Sequence, residues 1–500
     1  MNQLLNYKRK FGQHNVGFLA GHENQWVDET YFSGSRRRMN LDGNVELVNF
    51  TELASVNGRA ETLRRDAYLS RVNYDYEGKY FAEVSYRRDG SSRFSPASRW
   101  GNFYSVGASW YMKREDFLSN VSWLNDLKIR AAYGTVGNDA LGTYYEYQAL
   151  YGLGWNNAGQ AGALASKIAN DSLTWEVNKT LSLGIDFGVL KNRITGSIEL
   201  FDRGSSDLLF DVPQGLSSIV TTRTENIGAM SNKGIEMQLN GEVIRTQNVN
   251  WSIQLNATHL KNEITKLPGG RPIVSGTKRL EEGKDIYNFW LRQWYGVDPT
   301  DGSSLYYATP GLTTGYRIAK SGDTVVTDHT LARFDHSGSA IPKVFGSIGS
   351  TIEVKGISLS FLLNYQLGGK FYDGNYAALM RPSYGSSLHA DVLNSWQKPG
   401  DATNIPRLDI LNTGIINAQS SRWLIDASYL SFRNVTLSYG FKRDILDKMG
   451  LTQLRVYLSG ENLAVLSKRK GMNPAESFNG TNSAIYTPNR VLSAGINVTF

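Results

Sequence analysis

Apolar and polar residues alternate with a period of two along most of this chain. The last nine residues keep the pattern to the final position, with one face made of Leu492, Ala494, Ile496, Val498 and Phe500. Because successive side chains of a β-strand point to opposite faces, this pattern predicts a strand with one apolar side. A strand that ends without a polar tail needs a neighbour on each side, since proteins usually avoid a bare sheet edge, and a closed barrel provides that neighbour.

About 15 segments share this alternation, counted with strand ends located only to within about 2 to 4 residues. Two alternating runs, residues 179–190 and 193–201, flank a short turn at residues 191–192 and predict a hairpin. Residues 115–124 instead carry apolar residues at helical spacing, which predicts a short helix before a strand that starts near Leu127. We therefore expect an all-β, antiparallel fold.

The predicted connections fall into two classes of length. Short turns are expected at residues 77–79, 191–192 and 355–356, and long loops at residues 137–178, 203–228, 266–342 and 368–422, the third with room for a strand. Short turns at one end and long loops at the other are typical of outer-membrane barrels, and a soluble sandwich is the alternative. Aromatic residues near strand ends, such as Tyr74, Trp110 and Tyr439, fit interfacial girdles, although strands favour aromatic residues in any case.

Composition and charge exclude several classes of function. The chain has 50 Gly, 27 Tyr, 20 Phe and 11 Trp, too aromatic for a disordered protein, and no Cys, which excludes disulfides and thiolate metal sites. The net charge of +7 is spread among both signs with no basic run longer than residues 36–38, so we expect no nucleic-acid partner. No stretch approaches the roughly 20 apolar residues of a membrane helix, whereas a barrel strand needs only about 9 to 11.

Residues for catalysis or metal binding are not recognisable in the sequence. There is no HExxH motif, phosphate-binding loop or dinucleotide-binding glycine pattern, and the six His residues lack metal-ligand spacing. We expect no enzyme activity, no metal site and no cofactor. Asp298, Asp301 and Gly302 loosely resemble a calcium loop, but the Asp-Pro-x-Asp-Gly pattern around them favours a turn.

The long loops are rich in aromatic residues beside Gly and Asn. Aromatic faces next to amides and hydroxyls suit sugar or peptide ligands, and packing within the loops is the alternative for any single ring. The candidates for substrate binding are Tyr144, Tyr145, Trp155, Tyr372, Tyr376, Tyr384 and Trp396.

Six stretches together carry a resemblance to a known family. They are residues 80–118 (beginning YFAEVSYRRDG), LNDLKIRAAYGTVGN at 124–138, LTWEVNKTLSLGIDFGVLKNRITGSIELFDR at 173–203, NIGAMSNKGIEMQLN at 226–240, YLSFRNVTLSYGF at 429–441 and LRVYLSGENLAVLSK at 454–468. In this order they make the chain similar to the C-terminal barrel region of the SusC/RagA family of TonB-dependent outer-membrane transporters from Bacteroidetes, from about residue 68 to residue 500.

The resemblance implies a multi-pass, 22-stranded barrel in the outer membrane of a Gram-negative cell. It also implies an N-terminal plug, energy supplied through the TonB complex, and a SusD-like surface lipoprotein that helps to capture glycans or peptides. The sequence contains no recognisable signal peptide, TonB box or plug, so we expect residues 1–500 to be a partial barrel with long extracellular loops, the C-terminal fragment of a larger transporter. Phe500 resembles the signal for barrel insertion, and residues 492–500 should form an open edge or pair wrongly when alone.

Transport is the leading hypothesis for function, as uptake of oligosaccharides or peptides through a wall surrounded by outer-membrane lipid. The residues expected to face the lumen are Glu83, Arg87, Asp186, Glu236 and Arg455. The alternative is an all-β surface binding or adhesion protein that uses the same loops without transport. An outer-membrane enzyme would need a clustered acid and base, and the sequence nominates none.

Overall fold

The computed structural model describes residues 1–215, 217–482 and 487–500. The strands within these ranges are β1 (Asn2–Phe11), β2 (His14–Met39), β3 (Phe50–Tyr76), β4 (Tyr80–Ser91), β5 (Trp100–Trp110), β6 (Leu124–Asn138), β7 (Leu150–Asn157), β8 (Gln160–Lys167), β9 (Glu176–Val189), β10 (Ile194–Pro213), β11 (Thr222–Arg245), β12 (Val249–Lys266), β13 (Ile273–Ser275), β14 (Lys278–Leu280), β15 (Asn288–Arg292), β16 (Trp294–Val297), β17 (Ser304–Tyr307), β18 (Arg317–Ile318), β19 (Thr324–Val326), β20 (Phe334–Ser339), β21 (Val344–Val354), β22 (Ile357–Leu367), β23 (Lys370–Tyr372), β24 (Leu424–Asp426), β25 (Tyr429–Gly440), β26 (Gln453–Ser467) and β27 (Val491–Thr499).

Helices are few and short in the described part of the chain. The α-helices are α1 (Asp116–Ser119), α2 (Gly374–Leu379), α3 (Thr413–Ile416) and α4 (Arg443–Met449). Single 3-10 turns lie at Leu47–Asn49, Met112–Arg114, Pro268–Gly270, His329–Leu331, Ala390–Asn394, Ser421–Trp423 and Pro474–Glu476. No described helix has the length and apolarity needed to cross a membrane.

Fifteen of the described strands form one sheet whose order follows the chain: β1 to β6, β9 to β12, β21, β22 and β25 to β27. Neighbouring strands in it pair antiparallel, as β1 does with β2 and β21 with β22. The antiparallel, all-β prediction is therefore confirmed. Strand β27 pairs with β26 from Gln453↔Thr499 to Glu461↔Val491 and is the last strand in this order, so the terminal strand lies at a sheet edge as expected.

The three predicted short turns are confirmed. Each lies between strands that pair with each other or follow directly in the sheet, and each uses left-handed backbone conformations. In the turn between β21 and β22, Lys355 and Gly356 have φ angles of 49° and 92°. Two consecutive residues with positive φ match the right-handed twist of the flanking strands, and for this reason such short turns close hairpins well.

The long connections differ from the sequence prediction: residues 137–178 hold the hairpin β7–β8, residues 368–422 hold β23, and the other two differ more. Strand β10 runs to Pro213 and β11 starts at Thr222, so the connection predicted at residues 203–228 spans only residues 214–221. The polar residues that indicated a loop there are strand residues whose backbone groups are paired. Residues 266–342 hold eight short strands, β13 to β20, rather than one, and these form two separate four-stranded sheets.

The helix predicted at residues 115–124 is shorter than its apolar spacing indicated. Helix α1 covers Asp116–Ser119, one turn, and Leu124 is already the first residue of β6. Leu124 is buried at 6% exposure, so its apolar character reflects strand packing rather than a helical stripe.

The strands of the large sheet carry an exposed apolar face. In β22, Ile357 and Leu359 are 51% and 39% exposed, and they alternate with Ser358 and Ser360. An apolar face repeated along several strands is rare on a surface in contact with water and is typical of a lipid-facing barrel wall.

Some cross-strand pairs place an aromatic ring directly over a glycine. Tyr457 of β26 pairs with Gly495 of β27, and a Cβ atom at Gly495 would lie 2.5 Å from the tyrosine ring. Trp100 of β5 covers Gly90 of β4 in the same way, at 2.9 Å. At these positions glycine is required because the ring occupies the space of its side chain.

The chain divides into two compact units. The first consists of Met1–Arg114, Ile129–Leu183 and Arg203–Met230, and its buried apolar cluster contains Phe94, Phe103, Leu173 and Trp175. The second consists of Glu115–Lys128, Gly184–Asp202 and Ser231–Phe500. Its buried clusters lie around Tyr306, Trp423, Phe289 and Phe371, and the last of them also contains Met472, which follows β26.

Candidate functional site

Strand β4 presents one charged face and one largely apolar face. Glu83, Arg87 and Asp89 alternate on the first, whereas Val84 and Tyr86 lie on the second, 50% and 44% exposed. The two residues predicted to face the lumen from this strand, Glu83 and Arg87, therefore share a face.

Arg87 joins two strands through a carboxylate on each. Its Nε donates to both oxygens of Asp89, at 2.7 and 2.9 Å, and its Nη2 donates to Glu23 of β2 at 3.1 Å. Ala67 of β3 lies between Glu23 and Asp89 in the strand register and is 3% exposed. A methyl group at this position leaves room for the guanidinium to reach across the intervening strand.

A second ion pair lies in the same unit. Arg65 donates two parallel hydrogen bonds to Asp139, from Nε to Oδ2 at 3.0 Å and from Nη2 to Oδ1 at 2.7 Å. The Ser91 hydroxyl also donates to Oδ2 of Asp139, at 2.7 Å. The Asp139 residue is buried at 8% exposure. Two-pronged arginine–carboxylate pairs are strong and fix orientation, so Asp139 anchors the start of the long loop that follows β6.

The two ion pairs line a common cavity of about 430 Å³. Arg65, Arg87, Asp89 and Asp139 supply its charged groups, and Trp175 of the buried apolar cluster contributes to its lining. Such a cavity offers both hydrogen-bond donors and acceptors to a polar ligand.

The sequence predicted Arg87 as a site residue. It did not predict the other members of the two ion-pair groups, which are Glu23, Arg65, Asp89 and Asp139. For the strand residues, the available signal was the spacing of two between Arg87 and Asp89, which places opposite charges on one strand face. Asp139 lies 74 positions from Arg65, and nothing local in the sequence joins them.

Predicted lumen residues of the second unit lie on polar faces. Asp186 lines a cavity of about 390 Å³ together with Asp126, Gln238 and Asn240. Glu236 precedes Gln238 and Asn240 on the same face of β11. Arg455 donates from Nη2 to the Ser438 hydroxyl at 2.7 Å.

Two of the predicted substrate-binding tyrosines, Tyr144 and Tyr145, make contacts within the first unit. The Tyr145 hydroxyl accepts the backbone N–H of Thr62 at 2.8 Å. The Tyr144 hydroxyl lies 3.5 Å from a carboxylate oxygen of Glu29, and the Arg93 guanidinium lies 5.1 Å from the Tyr144 ring centroid. These contacts give both tyrosines a packing role, and their contact with a ligand stays a prediction.

Three candidate rings of the second unit also have internal partners. Tyr376 donates its hydroxyl to Asp391 at 2.8 Å, and the Trp396 Nε1 donates to the Pro299 carbonyl at 3.2 Å. Tyr372 packs against two buried clusters, and burial raises the pKa of its hydroxyl to about 12. A tyrosine held neutral among apolar side chains is suited to packing.

The remaining two candidates are exposed to solvent. Trp155 lies on β7 of the first unit and is 57% exposed, and Tyr384 follows α2 in the second unit and is 96% exposed. Of the seven rings, these two have the faces most accessible to a ligand.

The segment that resembled a calcium loop is a turn closed by an arginine. The Gly302 N–H donates to the Asp298 carbonyl at 2.8 Å, and Arg317 donates to Asp298 at 2.6 Å and to Asp301 at 2.9 Å. Burial alone would raise the pKa of Asp301, but the hydrogen bonds from Arg317 and the Ser303 amide outweigh it and lower the pKa to about 2. Within the described ranges, no group of three His, Asp or Glu side chains is arranged to hold a metal ion.

Comparisons with known proteins agree with this architecture. The family model described as TonB dependent receptor-like, beta-barrel matches residues 2–463. The TonB-dependent receptor P3 of Formosa agariphila is 29% identical over 96% of this chain and 49% of its own length. The TonB-dependent receptor SusC of Bacteroides thetaiotaomicron is 28% identical over 95% of this chain and 47% of its own length.

A solved structure of the RagAB peptide importer in its closed-closed state matches the whole chain with a TM-score of 0.87 and 25% identity, and 55% of that structure's chain is covered. The chain thus spans about half the length of the curated relatives it matches. The family match extends over most of the chain, and it agrees with the ordered antiparallel sheet, the short turns and the exposed apolar strand faces. The chain belongs to the TonB-dependent receptor β-barrel family, whose members are outer-membrane transporters and not enzymes.

Proposed function

We propose that this chain forms the wall and the extracellular loops of a TonB-dependent importer that takes up oligosaccharides or peptides. Family membership over residues 2–463 supports the transport class. The fold shared with the RagAB peptide importer supports a peptide as one class of cargo. The exposed rings of Trp155 and Tyr384 suit stacking against a sugar as well as contact with an apolar peptide side chain.

The observation that carries this proposal is the charged network on β4. Arg87, Asp89 and Glu23 form a hydrogen-bonded group on the strand face opposite the exposed Val84 and Tyr86. A transmembrane barrel alternates residues that face lipid with residues that face a polar interior. We infer that the network faces the interior, where it would contact a polar cargo during passage.

The proposal extends to the partners of the complete protein. A SusD-like surface lipoprotein would capture cargo at the extracellular loops, and the TonB complex would supply energy through a region outside residues 1–500. Outer-membrane lipid would surround the apolar strand faces.

Uptake in living cells tests the transport proposal. A strain that lacks the full-length gene is complemented with the wild type or with variants, and uptake of fluorescent oligosaccharides and peptides is measured at matched surface levels. We expect Arg87→Met to lower uptake roughly tenfold, because it removes a charge-assisted hydrogen bond to a polar cargo that would contribute about 1.5 kcal/mol. The matched control is Arg88→Met, since Arg88 lies on the opposite face, 5.1 Å from the Trp100 ring centroid.

Comparing the uptake of oligosaccharides with that of peptides distinguishes the possible outcomes. Uptake of one class that depends on the gene identifies the cargo. If neither class enters faster with the gene than without it, while cells still bind the ligand through the loops, the transport proposal is wrong and surface binding replaces it.

A further inference from the structure

A cavity of about 440 Å³ lies in the second unit, at the ends of β21, β22 and β25. Its floor is one face of these three strands, on which Phe345, Gln366 and Tyr429 lie side by side in the strand register. Its other walls are the residues before β21, strand β23 and the segment that follows β26. The described residues of this chain therefore form both the floor and the cover of the cavity.

The floor of the cavity is the polar face of the strands. On β22, Asn364 and Gln366 share a face with Ser360, opposite the exposed Ile357 and Leu359. A transmembrane barrel alternates residues that face lipid with residues that face a polar interior. The cavity thus lies on the interior side of the proposed barrel wall, close to the long loops.

Three polar side chains of the floor keep unpaired hydrogen-bonding groups. The Asn364 amide and the Tyr429 hydroxyl have no hydrogen-bond partner among the described residues. Gln366 donates from Nε2 to the Ala427 carbonyl at 3.2 Å, and within the same part of the chain its Oε1 has no partner. Because polar groups in closed sites are normally paired, these side chains are available to a ligand with both donors and acceptors.

The spacing of the two amide side chains matches an extended peptide. Asn364 and Gln366 are two positions apart on one strand, which separates them by about 6.8 Å. An extended peptide presents the N–H and C=O groups of alternate residues on one side, at the same interval. A peptide that runs along β22 can therefore pair with both side chains.

The cover of the cavity is mostly apolar. Pro342 precedes β21, and Pro474 and Phe478 follow β26. Phe478 is 75% exposed, and its ring lies edge-on to the Tyr287 ring at 5.5 Å. A sugar carries hydroxyls around its whole ring, so burial against this cover would leave some of them unpaired. A peptide residue has a polar backbone side and an apolar side chain, which fits a polar floor under an apolar cover.

Lys370 brings a positive charge to the cavity. Among the described residues that line it, Lys370 is the only charged one, and no carboxylate of the described chain lies within ion-pair distance of its ammonium group. Asp426 lies opposite Lys370 in the strand register and accepts the Ser428 N–H at 2.8 Å. Lys468 is also within electrostatic reach of Asp426. Two lysines near one carboxylate leave Lys370 able to pair with an anionic group of a ligand.

We infer that this cavity binds the C-terminal residue of a peptide cargo. The free carboxylate pairs with Lys370, and the last peptide groups hydrogen-bond to Asn364 and Gln366. An apolar C-terminal side chain packs against Pro342 and Pro474. The inference rests on the proposed importer function for the class of cargo, and it adds the place and the orientation in which the cargo is held.

Peptide binding to the full-length protein in detergent micelles tests the role of Lys370. The probe is the peptide Ala-Ala-Ala-Leu, labelled with fluorescein at its N-terminus, with either a free or an amidated C-terminus, and binding is measured by fluorescence anisotropy. Lys370→Gln should weaken binding of the free-carboxylate peptide about fivefold and leave the amidated peptide unchanged. The matched control is Lys468→Gln, which removes the same charge near Asp426 from a residue outside the cavity lining. Equal affinity of the wild type for the two peptides would overturn the inference.

Asn364→Leu tests the polar floor. It should weaken binding of both peptides about tenfold, because two neutral hydrogen bonds are lost. The control is Ser360→Leu, on the same face of β22 but outside the cavity lining. If Asn364→Leu instead weakens binding of maltotetraose and not of the peptides, the cavity binds sugars and the inference is wrong.

Photocrosslinking locates the bound end of the peptide without any substitution in the protein. The C-terminal leucine of the same peptide is replaced by its photoreactive diazirine analogue, and the crosslinked residues of the wild type are identified by mass spectrometry. Crosslinks should fall in residues 340–345 or 474–478, and crosslinks found only elsewhere would overturn the inference. These binding results together with uptake that does not depend on the gene would reject transport and still support the site.

Discussion

Asp139→Asn is expected to loosen the loop that follows β6. The substitution keeps the shape of the side chain and the hydrogen bond from Ser91 but removes the charge that faces Arg65. The asparagine NH2 cannot accept a hydrogen bond, so the bond from Arg65 Nη2 is lost and the bond from Nε loses its charge assistance, which together cost roughly 2.5 kcal/mol. The Arg65 side chain is 37% exposed, and solvent screening reduces the expected loss to about 1.5 kcal/mol.

The loss is measured as native-state hydrogen exchange of the full-length protein in detergent micelles. About 1.5 kcal/mol corresponds to roughly tenfold faster exchange in peptides that cover the start of the loop. The matched control is Glu52→Gln, which removes the charge that faces Arg38 near the end of β2, where the two side chains are 50% and 76% exposed. An exposed pair contributes about 0 to 1 kcal/mol, so exchange there should change little. Equal effects of the two substitutions would refute the assignment of Asp139 as an anchor.

Two further outcomes are expected in the second unit. Because the pKa of Asp301 is lowered to about 2, the stability from its pairing with Arg317 is present above about pH 4 and lost as the pH falls toward 2. Pepsin cleavage of this turn should therefore begin at higher pH in Arg317→Met than in the wild type, and identical pH profiles would contradict the pairing. Trp423→Ala should destabilise its loop by about 3–5 kcal/mol, because the ring is 1% exposed and donates to the Ala418 carbonyl at 3.0 Å. Hydrogen exchange measures this loss, and the exposed Trp155→Ala serves as the control.

Local patterns in the sequence were sufficient for most of the barrel wall. Alternation predicted the fifteen-stranded sheet, and residues such as Lys355 and Gly356 predicted its short turns, because both signals depend only on neighbouring positions. The predicted strand ends were less accurate where polar residues lie within a strand of the sheet, as in the part of β10 beyond Arg203. Such residues resemble a loop in sequence although their backbone is hydrogen-bonded.

The candidate site was less predictable because it depends on contacts distant in sequence. Alternation identified Arg87 as a residue of the polar face, but its bond to Glu23 crosses 64 positions and that of Arg65 to Asp139 crosses 74. Aromatic content identified loops of interest without separating packed rings from exposed ones. Tyr145 and Trp155 occur in the same sequence stretch, yet one hydroxyl is engaged by a backbone amide and the other ring is open to solvent.

The pairing of Tyr457 with Gly495 limits the ways in which the last strand can assemble. A slip of β27 by one residue would place Ala494 or Ile496 opposite the ring and would turn every side chain of the strand to the other face. A slip by two residues would restore the faces but would press the ring onto Ser493 or Asn497. Only one alignment gives the ring an empty position, so the glycine and the tyrosine together fix the register of β27 against β26.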